Sequence, residues 1–537
     1  MKAGPGFWTQ EVQPAPSLAM LARAADAAPW SFVLASGGKT GRRSRFTILA
    51  FDPFLVVRGA SDAACGARIE WRANAEEALA SPAVAEIARL AGGTPRAGAA
   101  PAAAIAINPP LVTAWSETLT DPLPLLRALL AAFPTPPSPA HPPFTGGLAG
   151  WFGYDLGRAF ERVPERAPDP LALPSFALGY YDVVVVIDNL TRKAMAIATG
   201  YPERDAARRE RRAAARLAQC AAALAVAREP ERAPSAFLPA EVSLDTIRSN
   251  LTHDRYLEAV RRVKNLIRAG DIFQANVTQR LRWGAPDDPA AWFTELLDRH
   301  PVAFAAFARC ERDASGAPYH IVSLSPERFL RVSGDYIETV PIKGTRPRSA
   351  DRAADERAAR DLLASPKDRA ELVMIVDLLR NDLGRVAVSG SVSVPEIYAL
   401  ESYTTVHHLV ARITARLRPG LGALDALRAA FPGGSISGAP KIRAMEILAE
   451  VEPHARGLFM GAIGYVGANG EMDTSIAIRT AVVADGVAHL QVGGGVVHDS
   501  RAEDEYQESL HKAAAFLGRV PREISDAPAK NAALRPA

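Results

Sequence analysis

Residues 461–497 read GAIGYVGANGEMDTSIAIRTAVVADGVAHLQVGGGVV. Three strand-like runs follow one another here, at 461–466, 475–483 and 489–497, with turn residues between them. A helical run at 503–517 comes next, with Tyr506, Leu510, Ala513 and Leu517 on one apolar face. Strands in succession and then a helix do not make a βαβ rhythm, so the reading is an α+β fold. The pattern extends upstream. Helices are expected at 257–267, where Gly270 is a natural stop, at 368–379 and at 440–450, and strands at 328–332 and 391–397.

The N-terminal half is less regular. It offers strand runs at 32–36, 46–51 and 183–188, and the valine-rich run 180–187 reads as one buried strand. A glycine-rich segment, FTGGLAGWFGYDLGR, spans 144–158. Stretches rich in alanine and proline occur at 92–104 and 132–143. Residues 202–235 start as a solvated helix and end as a linker, because Pro230 and Pro234 stop helices. The expected organisation is an N-terminal region 1–240, a catalytic domain 241–522 and a tail 523–537, with no visible internal repeat.

Composition narrows the classes. The 537 residues are 48% hydrophobic and 23% charged, with a net charge of +3, which describes a globular protein with a large core. So small a charge excludes a nucleic-acid-coating role. Cys65, Cys220 and Cys310 are scattered and form neither a disulfide framework nor a zinc site, so a reducing cytoplasm is expected. The first residues lack the apolar core of a signal peptide, and no run is long enough to span a bilayer.

Five segments carry chemistry. FPGGSISGAPKIRAMEIL (431–448) leads a glycine-rich turn into a helix, which is either a flexible loop or an anion cradle. Asp368 and Glu371 stand three apart on one helix face, as do Glu505 and Glu508, with Lys512 one turn further on. The second set is either a solvated face, its Glu508–Lys512 pair worth ~0.3–0.5 kcal/mol, or half of a Mg²⁺ site in which Glu371 and Glu508 converge. Lys343 follows an apolar strand and precedes Gly344; it is either a surface charge or, if desolvated, an amine nucleophile. Arg479, read on a strand among Ser475, Ala477 and Ala481, needs an anionic partner such as a ligand carboxylate.

Together these segments resemble the chorismate-utilising enzymes, among them anthranilate synthase component I, aminodeoxychorismate synthase component I and the isochorismate and salicylate synthases. SPERF, PIKGTRPR, MIVDLLRNDLGR, VHHLVARI, FPGGSISGAPKIRAMEI, SIAIRT, GGGVV and EYQESLHKA occur in the family's order between about residues 325 and 513. The resemblance implies a β-sheet sandwich core flanked by helices, as in anthranilate synthase component I. It implies Glu327 as general acid/base and His408 as an active-site histidine. It implies Glu371 and Glu508 as Mg²⁺ ligands, with Asp368 and Glu505 behind them. It implies Arg479, Lys512, Ser435 and the backbone of Gly493, Gly494 and Gly495 as the binding groups for chorismate.

Two positions sort the family's branches. Lys343 stands in the P-I-x-G-T motif, where the aminodeoxychorismate-forming branch carries lysine and the anthranilate-forming branch usually alanine. Gln274, in IFQANVTQR, stands where the water-adding branches carry lysine. The resemblance therefore implies amination of chorismate at C4 through a covalent Lys343 intermediate, with anthranilate synthesis as the alternative. VLAS (33–36) places Ala35 where tryptophan-binding relatives carry glutamate, and Phe459 stands where tyrosine is common. The sequence shows no glutaminase nucleophile elbow, so ammonia is expected from solution or from a glutamine amidotransferase subunit.

Overall fold

Every residue from Val183 to Ile187 is buried, and two different cores receive them. Val183, Val185 and Ile187 enter a core shared with helices, whereas Val184 and Val186 enter a core shared with a second sheet. A strand covered on both faces has no polar side to keep, which is why the sequence reads as an unbroken valine run. This strand lies in a computed structural model that describes residues 1–4, 6–37, 45–59, 67–71, 96–97, 112–116, 121–137, 141–164, 167–228, 242–312, 317–521 and 524.

Two 13-stranded sheets stack face to face. Trp30, Phe32, Trp151, Tyr181, Tyr319 and Phe459 fill the space between them. The outer face of the first sheet is covered by helices Leu18–Ala27, Ala206–Val226, His253–Arg268, Pro289–Arg299, Lys441–Val451 and Ala502–Leu517. The outer face of the second is covered by Leu123–Ala132, Arg352–Ala364, Pro366–Gly384 and Ala423–Ala430. The α+β sandwich flanked by helices is thus the observed architecture. Among the described residues, no helix is long and apolar enough to cross a membrane.

The strand order repeats. In the first sheet, moving outward from Phe32–Ala35, the strands are Phe46–Ala50, Val183–Asp188, Lys193–Ala198 and Phe7–Val12. Outward from its central partner Phe304–Glu311, they are Pro318–Ser325, Thr480–Ala484, Val487–Val496 and Gln274–Gly284, in the same relative chain order. The second sheet repeats likewise about the pair Gly147–Phe152 and Ala462–Gly467. The sequence shows no repeat, but the topology of the two halves is duplicated, and the halves pair strand to strand through both sheets. The expected boundary near residue 240 and most of the expected tail lie outside the described residues, as does nearly all of 92–104.

Two strand readings need correction. The run 180–187 is two strands: the chain leaves the second sheet at Tyr181 and enters the first at Val183. The run 475–483 is likewise two, Met472–Ile476 in the second sheet and Thr480–Ala484 in the first. Continuous apolar character persists through a crossover because both sheets bury both of their faces, so the switch leaves no mark in hydropathy. The helix Ala206–Val226 also differs from its solvated reading. It buries Leu217, Cys220, Leu224 and Arg216, whose guanidinium binds Asp182 Oδ1 at 3.1 Å and Asp52 Oδ2 at 2.8 Å.

Candidate active site

Two sheet crossovers lie side by side in the C-terminal half. The chain passes from Pro318–Ser325 to Arg328–Ser333 through Pro326 and Glu327, and returns between Ile476 and Thr480 through Arg479. Leu324 N–H donates to the Arg479 carbonyl at 2.9 Å, and Ile476 N–H to the Glu327 carbonyl at 3.1 Å. Arg479 has φ +48°, a left-handed conformation that an arginine adopts only under constraint. It is therefore not on a strand face among small residues; the crossover carries it. Its guanidinium makes no hydrogen bond or ion pair with the described residues, and its charge acts on Glu327 and His408. An unpaired guanidinium in a largely desolvated position is a receptor for an anion.

Glu327 is 5% exposed and accepts a hydrogen bond from Ser435 Oγ at 2.7 Å. Burial pushes its carboxyl up to about 7, against the Ser435 bond, the Lys343 charge, the Ile342 N–H and Arg479, which all favour the anion. Such a group holds a proton near neutrality and can deliver it, as a general acid requires.

Lys343 lies on strand Ile342–Pro347, which pairs with Val406–Arg416 across a bulge between Lys343 and Thr345. Gly344 sits in this bulge at φ +77°, and a Cβ there would stand 2.8 Å from the Asp368 carboxyl carbon. Glycine thus allows the strand to approach the start of helix Pro366–Gly384. The Lys343 ammonium is 3.7 Å from Glu371 Oε2, and the Lys343 side chain is 13% exposed. Across the strand pair, His408 Nδ1 and Thr345 Oγ1 share a hydrogen bond of 2.9 Å. Burial, with Arg479 and His407 adding to it, lowers His408 to about 3, so it works as a neutral imidazole.

Glu371 and Glu508 come from helices on opposite faces of the sandwich. The Lys343 and Lys367 charges act on both: Lys367 lies 3.9 Å from Glu371 Oε1, and both lysines lower Glu508. The leading cause of that lowering is Lys512, 2.8 Å from Glu508 Oε1, which also donates to the Gly493 carbonyl at 2.7 Å. Gly494 faces the same acids; a Cβ on it would stand 2.6 Å from Glu505 Oε2 and 3.6 Å from Glu508 Oε1. Glu505 is buried and held by Ser500 Oγ at 2.6 Å, and burial raises its carboxyl. Asp368 is engaged by Arg346 at 2.9 Å. Among the described residues, no three acidic, histidine or cysteine side chains form a closed metal cage. Two carboxylates that share the positive charge of Lys343 and Lys367 have the donor chemistry of a Mg²⁺ ion that keeps most of its waters.

Around the acid stand Gln274 and Phe459, which the sequence names, and Asn276, Glu452 and Arg456, which it does not. Gln274 is fully buried; its Nε2 donates to Asn276 Oδ1 at 3.0 Å and its Oε1 has no partner. Asn276 pairs with Gly495 across the strands and donates to the Ser435 carbonyl at 2.9 Å. Arg456 and Glu452 form a buried forked pair behind them. Phe459 points into the core between the sheets, with Arg280 5.5 Å above its ring.

Known proteins bring the geometry to a family. Residues 87–518 match the chorismate binding enzyme family. The chain is similar to aminodeoxychorismate synthase component 1 of Salmonella typhimurium, 39% identical over 91% of this chain and 92% of that one. It is also similar to anthranilate synthase component 1 of Streptomyces coelicolor, 41% identical over 75% of this chain and 78% of that one. Among solved structures, anthranilate synthase component I from Streptococcus pneumoniae superposes with a TM-score of 0.67 at 28% identity, covering 89% of this chain and 93% of that one. A two-sheet sandwich, a buried acid beside an arginine without a partner among the described residues, and a match over most of the sequence agree: the chain belongs to the chorismate binding enzyme family.

Proposed function

We propose that this enzyme makes 4-amino-4-deoxychorismate from chorismate and ammonia, with Mg²⁺ as cofactor and a glutamine amidotransferase as the nitrogen-supplying partner. Relatives near 40% identity carry both the aminodeoxychorismate and the anthranilate synthase names, so overall likeness does not choose between them. The observation that carries the choice is Lys343, a largely buried amine in the P-I-K-G-T strand that lies 3.7 Å from Glu371.

In this reading a chorismate carboxylate binds Arg479, and Lys512 with the Gly493–Gly495 backbone holds the other end near the acidic helix. Glu371 and Glu508 would hold Mg²⁺, which supplies positive charge for the ring carboxylate. Lys343 first loses its ammonium proton to solvent, its free amine then forms a bond to C2 as the C4–O bond breaks, and Glu327 gives its proton to the departing hydroxyl, which leaves as water. Ammonia then bonds to C4 as the C2–N bond to Lys343 breaks, returning the neutral amine, and the new C4 ammonium gives one proton to the Glu327 carboxylate, which restores the acid. His408, neutral and tied to Thr345, shapes the pocket beside Arg479. Gln274 lacks the amine that would activate water, which disfavours hydroxyl transfer.

The test is the wild-type chain with chorismate, Mg²⁺ and either ammonium or glutamine, with product identified by mass. Ammonium should give 4-amino-4-deoxychorismate, and glutamine should work only after an amidotransferase is added. Rapid glutamine-dependent turnover by this chain alone, or a product without the enolpyruvyl group, contradicts the proposal.

A further inference from the structure

Ser435 rides on a helix of only four residues, Gly434–Ser437, with no side-chain cap at its start. A segment that short has too few internal hydrogen bonds to hold its own conformation. Its carbonyls are held from outside. Asn276 Nδ2 donates to the Ser435 carbonyl at 2.9 Å, and Arg456 Nη1 donates to the Ile436 carbonyl at 3.1 Å.

Arg456, 2% exposed, is the hub of this arrangement. Its Nη2 donates to the Asn276 carbonyl at 2.6 Å, so one guanidinium grips both the turn and the residue that supports the turn. Its Nε and Nη2 also reach the two oxygens of Glu452 at 2.9 and 2.8 Å. Glu452 in turn accepts from Thr278 N–H at 3.1 Å and Thr278 Oγ1 at 2.7 Å. The guanidinium lies over the Tyr154 ring, 4.6 Å from its centre. Every direction of the fork is used, and the pair ties the turn to strand Gln274–Gly284.

We propose that Arg456 is a positioning residue for the acid: it clamps the Ser435 turn against the strand so that the Ser435 hydroxyl stays on Glu327. A lysine in its place keeps the charge beside Glu452 but cannot reach two carbonyls and two carboxylate oxygens in one plane. The turn then drifts and the hydroxyl leaves the carboxyl. Lys343, Arg479 and the Ile342 N–H also face Glu327 and remain in place, so the change at the carboxyl reports on Ser435.

The kinetic side rests on Glu327 being the acid of the proposed reaction, so the deciding measurement is made without substrate. Wild type, Arg456→Lys, Ser435→Ala and the double variant are labelled with ¹³C at glutamate carboxyls, and Glu327 is titrated by NMR, with Glu327→Gln assigning its signal. Arg456→Lys should raise the Glu327 midpoint by at least half of what Ser435→Ala does, and the double variant should move it no further than Ser435→Ala alone. With substrate, kcat should fall about tenfold or more, since small misplacements of a reacting group are costly, while KM changes little. A folded Arg456→Lys in which Glu327 titrates as in wild type overturns the proposal, whatever product the enzyme makes. If Arg456→Lys does not fold, Asn276→Ala, which removes the donor to the Ser435 carbonyl, carries the same expectation and the same refutation.

Discussion

Ser435 Oγ lies 2.7 Å from Glu327 Oε1 although 108 residues separate them, and this bond is the one that most favours the carboxylate against burial. Its loss has a definite sign. Ser435→Ala removes a hydrogen bond to the charged form, so Glu327 should rise beyond about 7. A general acid must be protonated, so activity falls as pH climbs through its midpoint. The alkaline limb of the kcat profile should move up by about one pH unit, the equivalent of a hydrogen bond to a charged group. An unmoved or downward-shifted limb contradicts the assignment of Glu327 as the acid.

The metal assignment rests on two carboxylates from helices on opposite faces of the sandwich. Glu508 is 51% exposed on its side chain, so Glu508→Gln should leave the unfolding transition in place. Activity should nonetheless drop by about a hundredfold or more, and excess EDTA should abolish wild-type turnover until Mg²⁺ is restored. Full turnover in EDTA would show that the reaction does not need Mg²⁺.

The N-terminal half repeats the topology of the C-terminal half and uses its crossovers differently. Where the C-terminal half carries Glu327 and Arg479, the N-terminal half carries Asp52 and Asp182, joined by Arg216, with Arg212 also on Asp182 at 3.1 Å. Asp182→Ala strands a buried arginine and should cost about 3–5 kcal/mol of stability. Denaturant unfolding monitored by tryptophan fluorescence checks this; a loss below about 1 kcal/mol would show that the staple is dispensable.

Legibility in the sequence followed chemistry more than topology. Helices such as Pro366–Gly384 and Ala502–Leu517 announce themselves by one apolar stripe and a capping residue or glycine stop. The crossovers at Asp182 and at Ala477–Arg479 did not, because hydropathy is blind to which of two sheets a strand joins. The same misreading occurs at equivalent places in both halves, which is a consequence of the duplicated strand order. The motif residues Glu327, Lys343, Glu371 and Ser435 stood out by resemblance. Asn276, Glu452 and Arg456 did not, since buried support residues declare themselves only when their partners, up to 180 residues away, are in place.

If the Lys343 amine is the nucleophile, replacing it with alanine changes the product, read by mass and fluorescence beside wild type. With chorismate, Mg²⁺ and ammonium, wild type should give 4-amino-4-deoxychorismate. Lys343→Ala should lose most of that product and gain at most a trace of a 2-amino product, because the vacated space resembles the alanine-bearing relatives. Lys343→Arg should fail too, since a guanidinium stays protonated. Formation of 4-amino-4-deoxychorismate by Lys343→Ala at the wild-type rate would show that Lys343 is not the nucleophile.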